Sequence, residues 1–392
     1  MKHLNSIAKL CALTAACAPS LFAQLSIPSD GSDGPLNITS NTVIDLSQAV
    51  TGVWSNNNAA NVGKGIYDAS KWAVVFKYTS VNIAAGATVT FKNHASGAPV
   101  VWLVSTSVTN HGTINLDGSS LNSPNSPEGG PGGFRGGGRS SIPGNVTSGF
   151  GPGAGYSLLN GNNYAVFANV YGNPQIIPLV GGSGGGGYNV QSVGGGGGGA
   201  ILIAASQTIA ISGLIHANGG ELAGTYGAGS GGAIRLLAHE VSGSGQVQAL
   251  GANGGNRGRT RLQANVAGPT LGFTPAATLE SPAPMLLWPE TNAATVRVVS
   301  VSGLQTPADP RAALQNSPAD VELATTNAVS IVVQTSNFPT NGIVNIFITP
   351  RNTTRTTYQA ALISGSSSLA TWQVQHALLP GYSVIQAHAR VP

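Results

Sequence analysis

Charge is scarce in this sequence: 17 basic and 13 acidic residues stand among 392, 8% where an ordinary soluble domain carries about a quarter. The formal net charge is +4 and Lys and Arg are nowhere clustered. That excludes the electrostatic footprint of a nucleic-acid binder or of a protein held on an anionic membrane. Cysteine is nearly absent. The only two, Cys11 and Cys17, lie in the first 23 residues, so disulfides and thiol chemistry are excluded for the rest of the chain. Beyond residue 23 there is no apolar run near the roughly 20 residues that span a bilayer as a helix. The glycine runs contain no Asp, which rules out calcium-binding glycine-aspartate nonapeptides. No cofactor and no metal is expected. With 41% hydrophobic residues, the chain still has ample material for a core.

Residues 1–23 read as a secretory signal peptide: Lys2 and Lys9, an apolar run over 10–22, and Leu21-Phe22-Ala23 before Gln24. The expected location is secreted, extracellular or cell-surface, with no membrane insertion of the mature chain. Without Lys2 and Lys9 the balance is 15 basic to 13 acidic residues, too even for long-range steering.

What the sequence has in abundance is glycine, 55 residues, and an internal repeat. Val101-Trp102-Leu103-Val104 is followed by Gly112-Thr113-Ile114-Asn115-Leu116-Asp117-Gly118. Ile201-Leu202-Ile203-Ala204 precedes Gly213-Leu214-Ile215-His216-Ala217-Asn218-Gly219, and Ile234-Arg235-Leu236-Leu237 precedes Gly245-Gln246-Val247-Gln248-Ala249-Leu250-Gly251. A degenerate fourth start is Thr260-Arg261-Leu262-Gln263-Ala264. The alternation has the two-residue period of a strand. It points Ile114, Ile215 and Val247 inward and stacks Asn115, His216 and Gln248 in an outward column. One such unit cannot bury its apolar face alone, so the copies are expected to stack as a parallel β-solenoid over 24–266. Strands at 36–46 and 74–91 would form its first coils or a cap.

Between 129 and 199, 26 of 71 residues are glycine. This excursion is expected to form partly ordered, tightly packed loops laid against the solenoid, since glycine lets backbones approach closely. Prolines at 269, 275, 282, 284 and 289 mark a linker over 267–294. The region 295–392 then shows short alternating strands at 296–301, 321–323, 329–335, 343–349, 358–362, 369–375 and 383–388, the texture of an immunoglobulin/fibronectin-like β-sandwich without its cysteine pair, with Trp372 in its core. The fold class expected is all-β.

The ordered series Gly129-Gly130-Pro131-Gly132-Gly133-Phe134, Gly151-Pro152-Gly153-Ala154-Gly155, 194–200, 229–235 and Gly258-Arg259-Thr260-Arg261-Leu262 resembles a group of secreted, glycine-rich bacterial proteins. In these a degenerate β-solenoid is often followed by a β-sandwich. The resemblance implies that fold and an exported setting; its motifs are structural and lend no catalytic residue.

Gly227-Ala228-Gly229-Ser230-Gly231-Gly232 matches a dinucleotide fingerprint only formally, because a strand rather than a helix follows it. A polysaccharide lyase or hydrolase on a β-helix scaffold is the serious alternative function. Its raw material would be Asp117, Glu128, Arg135, Arg139, His111, His216, His239 and Glu240, of which only Asp117 and Glu128 are close in sequence. Trp102, Arg235 and Arg261, in the first strand of their repeats, form an outward column with Leu202 suited to stacking on sugars and pairing with acidic glycans. The favoured reading of Trp102 and Leu202 is instead a second small core beneath the glycine excursion. The expected function is a non-enzymatic secreted or cell-surface structural or adhesion protein whose partners are extracellular glycans or cell-surface components.

Overall fold

The computed structural model describes residues 25–391 apart from 121–126, 139–148, 156, 159–163, 166–167, 169–171, 188–192, 221–226, 253–254, 269, 282, 284–285, 308–319, 351–354 and 382. The signal-peptide segment and Arg139 lie outside the described residues. The protein is all-β; among the described residues the only helical turns are 3-10 turns at Leu46–Gln48 and Ala59–Asn61.

Five stretches of chain follow the same three-strand course. Their first strands are Ala73–Tyr78, Val100–Val104, the first half of Ala200–Ile211, the first half of Ala233–Ser242, and Arg259–Ala267, paired in parallel in that order. A bend follows, seen as a register shift between Ala205 and Thr208, and the second strands pair likewise, Val81–Ile83 with Val108–Asn110 and then 209–211. The third strands, Thr88–Lys92, Thr113–Asn115, Leu214–His216, Gln246–Gln248 and Gly272–Thr274, join Thr42–Asp45 in a 6-stranded sheet. The first and second strands belong to one 11-stranded sheet. Pairing continues past residue 266, because Gly272–Thr274 and Thr278–Glu280 add to the two sheets where a linker is expected from the prolines.

Each rung turns one set of alternate residues toward a shared interior. Ile201, Ile203, Ile209, Ile211 and Ile215 of a single rung are all fully buried there, at about 1.5–3 kcal/mol of hydrophobic stabilisation per side chain. Ile114, Ile215 and Val247 meet in register with Val89 and Phe273, as the alternation requires.

The glycine segments make a second structure beside this interior. The N–H groups of Gly194 and Gly197 donate to the carbonyls of Gly137 and Phe134, those of Gly195 and Gly198 to Gly227 and Ser230, and those of Gly196 and Gly199 to Ser119 and Leu116. Donors three residues apart thus face the same neighbour, the period of a polyproline II helix. The strand's own carbonyls accept from Gly130, Gly182, Gly185, Gly220 and Ala233. A Cβ on Gly197 would stand 2.0 Å from the carbonyl oxygen of Gly182, and one on Gly198 2.1 Å from that of Ala217. Only glycine admits neighbours this close on every side.

In the C-terminal region a 5-stranded antiparallel sheet and a 3-stranded antiparallel sheet share an apolar core of Ile331, Val333, Val344, Ile346, Ile348 and Trp372. Trp372 is buried as expected and its Nε1–H donates to Thr335 Oγ1 at 2.9 Å. Two expectations differ. Residues 321–323 are not a strand, though Val321 and Leu323 pack against the core. The stretch 358–362 is two strands in different sheets, Thr356–Gln359 and Ala361–Gly365, joined by the buried Ala360, whose N–H donates to Val344 O at 2.8 Å.

Candidate functional site

Trp102 does not point outward. It is fully buried in the shared interior between Phe76 and Ile203, its ring 5.9 Å from that of Tyr78 and 6.2 Å from that of Phe91. The true register pairs Val100 with Ile201, one residue from the alignment that the apolar runs suggest, and a one-residue slip exchanges the two faces of a strand. The strand Val100–Val104 is apolar and buried on both sides, so its alternation carries no phase.

Leu202, Arg235 and Arg261 do share a column with Val101 and Thr278 on the outer face, but this face is covered. Leu25, Ile27 and Leu287 pack on Val75, Val101, Leu103, Leu202 and Leu237, with Trp54, Leu179 and Trp288 at the margin. A second core therefore exists, without Trp102 and roofed mainly by 25–27 and 286–288 rather than by the glycine excursion. Arg235, only 1% exposed, donates from Nε to Gln263 Oε1 at 2.6 Å, from one terminal nitrogen to Leu287 O at 3.2 Å and from the other to Leu286 O. Arg261 donates to Pro174 O at 3.4 Å and pairs with Glu280, which also accepts from Gln263 Nε2 at 2.8 Å. Burial, aided by Arg261, lowers the Arg235 guanidinium to about 10, with Glu280 acting the other way. Apart from Arg261 Nε, which is buried without an acceptor, the donors named here are aimed at protein carbonyls and side chains. These arginines bolt loops to the sheet and are not placed to hold a ligand.

The 6-stranded sheet has the opposite character. Its inner residues Val89, Ile114, Ile215 and Val247 are buried, while Thr88, Thr113, Leu214 and Gln246 form one outer column and Asn115, His216, Gln248 and Thr274 a second, all partly or fully exposed. The column of Asn115, His216 and Gln248 is the one expected from the repeat. A third position along the strands adds Asp45, Lys92 and Asp117. Lys92 Nζ lies 2.9 Å from Asp45 Oδ2, and His216 Nδ1 2.8 Å from Asp117 Oδ1. Asp117 Oδ1 also accepts the Asn218 N–H at 2.5 Å, and Asn115 Oδ1 accepts the Asp117 N–H at 2.9 Å. His216 therefore faces Asp117 across adjacent rungs, a contact that the outward column, read as solvated side chains, does not predict.

The remaining candidates do not converge on that pair. Glu128 is exposed and takes part through its backbone carbonyl, which accepts from the Ser119 N–H at 2.8 Å. His111 meets Ser212 at 2.6 Å, His239 meets Asn265 at 3.0 Å, and Arg135 lies 4.5 Å over the Phe150 ring. Glu240 sits beside Thr208 and Val266 on the second strands. Among the described residues no three His, Cys, Asp or Glu side chains are grouped to hold a metal ion, and no helix is long and apolar enough to cross a membrane. Compared with known proteins, the chain matches no family model, no curated protein and no solved structure.

Proposed function

We propose that this is an exported, non-enzymatic structural or adhesion protein: a parallel β-solenoid braced by a glycine bundle and followed by an immunoglobulin-like sandwich, exposed at or beyond the cell surface. The observation that carries the reading is the in-register stacking of five rungs beside a glycine strand, 194–199, whose every N–H is bonded to one of three neighbouring segments. Such a body resists deformation because each rung's backbone is tied to the next. It does so without disulfides and with few ionisable groups, which suits a durable exterior protein. The signal-like segment 1–23 and the resemblance to secreted glycine-rich proteins support the same setting.

The test is fractionation of producing cells together with a glycan-array and cell-binding screen of the purified protein. The expected result is protein outside the cytoplasm, cleaved near residue 23, that binds a surface component. Cytoplasmic, uncleaved protein would remove the proposal.

A polysaccharide-active enzyme remains the second reading, favoured by one observation, the Asp117–His216 pair at 2.8 Å on an open face. A carboxylate beside an imidazole is a recurrent arrangement for a general base. Release of new chain ends from a polysaccharide by the purified protein, abolished in Asp117→Ala, would establish it.

A further inference from the structure

We propose that the open face of the 6-stranded sheet is the docking surface for an uncharged linear polysaccharide lying along the stacking axis, across the rungs; this rests on the surface-adhesion reading and names its ligand. Three observations carry it. The outer face of the first strands is roofed by 25–27 and 286–288, whereas the residues of the two polar columns are partly exposed, and Gln246 fully so. Thr88, Thr113, Gln248 and Thr274 also have side chains without a hydrogen-bond partner among the described residues, so their hydroxyl and amide groups are free to bond a ligand.

The third observation is the charge pattern. Of the acidic side chains on this face, Asp45 is paired with Lys92, and Asp117 lies against His216 and accepts the Asn218 N–H. Among the described residues of this face Lys92 is the one lysine or arginine and Asp45 neutralises it, so little attracts a uronate or sulfate polymer, and the exposed Val43 and half-buried Leu214 are too few to bury a protein partner's apolar surface. Amides and hydroxyls suit sugar hydroxyls instead, since each can donate and accept.

The spacing selects a polymer over a small sugar. Parallel strands repeat at about 4.8 Å, roughly the length of one pyranose unit, so a linear chain can meet an equivalent group at each rung. Single bonds to such exposed groups are weak, and binding accumulates along the chain by linked contacts. The second strands offer a narrower alternative, the single column Asn37, Asn82, Thr109, Ala210 and Ser242. It lacks the second row.

The experiment is retention of the purified protein on microcrystalline cellulose, chitin and insoluble mannan, with an alginate gel as the acidic control. The expected result is binding to at least one neutral polymer in preference to alginate. Gln248→Ala and Thr113→Val should each weaken that binding about tenfold with unchanged melting temperature, while Asn82→Ala and Thr109→Val should not. Should Gln248→Ala fail to fold, Thr113→Val decides, because it keeps the shape and removes only the hydroxyl. Failure to bind any neutral polymer, preference for alginate, or undiminished binding by the two face variants overturns the docking face. Loss of binding in Asn82→Ala and Thr109→Val alone would overturn it too, yet leave the adhesion reading intact. Release of new chain ends from a bound polymer would overturn the non-enzymatic reading and leave the docking face standing.

Discussion

At the scale of single residues, the glycines divide into those that pack and those that only turn. A methyl group on Gly197 would stand 2.0 Å from a backbone carbonyl oxygen that is itself held in the bundle, so nothing flexible can yield. Gly197→Ala should therefore cost at least about 3 kcal/mol. At Gly303 the backbone has φ +80° and nothing lies within 4 Å, so Gly303→Ala meets only left-handed strain, about 1 kcal/mol. Chemical denaturation of the two variants checks the contrast, and equal losses would mean that close packing does not select glycine at 197. Titration gives a second residue-scale prediction. Burial alone lowers the pKa of His94, which stacks on Tyr67 at 4.2 Å. Burial tends to raise Asp30 and Asp68, but hydrogen bonds to Ser32 and Lys77 in the one case, and to Trp54, Ser70 and Lys71 in the other, outweigh it and hold both carboxyls below their ordinary value. In all three the unfolded chain binds the proton more readily, so stability is lost as pH falls. The melting temperature should be level above about pH 6.5, decline as His94 is forced to protonate, and fall again below about pH 4 as the aspartates titrate. His94→Gln should remove the upper decline and leave the lower one.

At the scale of elements, the outer face of the first strands depends on Arg235. Its guanidinium holds two carbonyls of the 286–287 segment and Gln263, and removing it strands those acceptors under a roof that excludes water. Arg235→Met should cost about 2–4 kcal/mol. It should also free 286–288 from the sheet, seen as faster amide exchange and earlier proteolysis there; unchanged exchange would show that Leu287 and Trp288 hold the roof by packing alone. The same elements show what could be read in advance. Where one face is buried and the other wet, as in 113–115, 214–216 and 246–248, alternation gave the inward residues and the outward column correctly. Where both faces are buried, as in Val100–Val104, the pattern is a continuous apolar run and the phase of Trp102 could not be read. Alternation puts Arg235 and Arg261 on the outer face, where they are, but prolines at 275 and 289 have the texture of a spacer, and nothing local signals that 286–288 returns to cover the sheet. The three-residue period of the glycine bundle was also hidden, since a run of identical residues has no phase. Asp117 and His216 stand 99 positions apart in sequence, and their meeting follows from rung register, which the repeat alignment at 112 and 213 already contained.

At the scale of the whole molecule, the apolar cores fall into two groups, those of the parallel strands and that of the C-terminal sheets. The stacked parallel strands bury the cluster around Trp102, Ile203 and Leu236, and the C-terminal sheets bury a separate one around Ile331, Ile346 and Trp372. Hydrogen bonds between them include Arg355 to Ala154 O at 3.2 Å and Gln386 Nε2 to Gly151 O at 2.6 Å, both ending on the glycine segment 149–155, and Asn337 Nδ2 reaches back to Ala293 O at 3.4 Å. Polar contacts of this kind contribute about 1 kcal/mol each, less than the cooperative packing within each group of strands. Calorimetry should therefore resolve two transitions. Ile331→Ala, which empties a fully buried position at a cost of about 2–5 kcal/mol, should lower one of them, and Gly197→Ala should lower the other. Gln386→Ala should move neither by more than about 1 kcal/mol. A single transition shifted equally by Ile331→Ala and Gly197→Ala would mean that the contacts at 151 and 154 transmit stability between the halves, and that the glycine bundle, rather than either apolar core, is the element on which the whole chain folds.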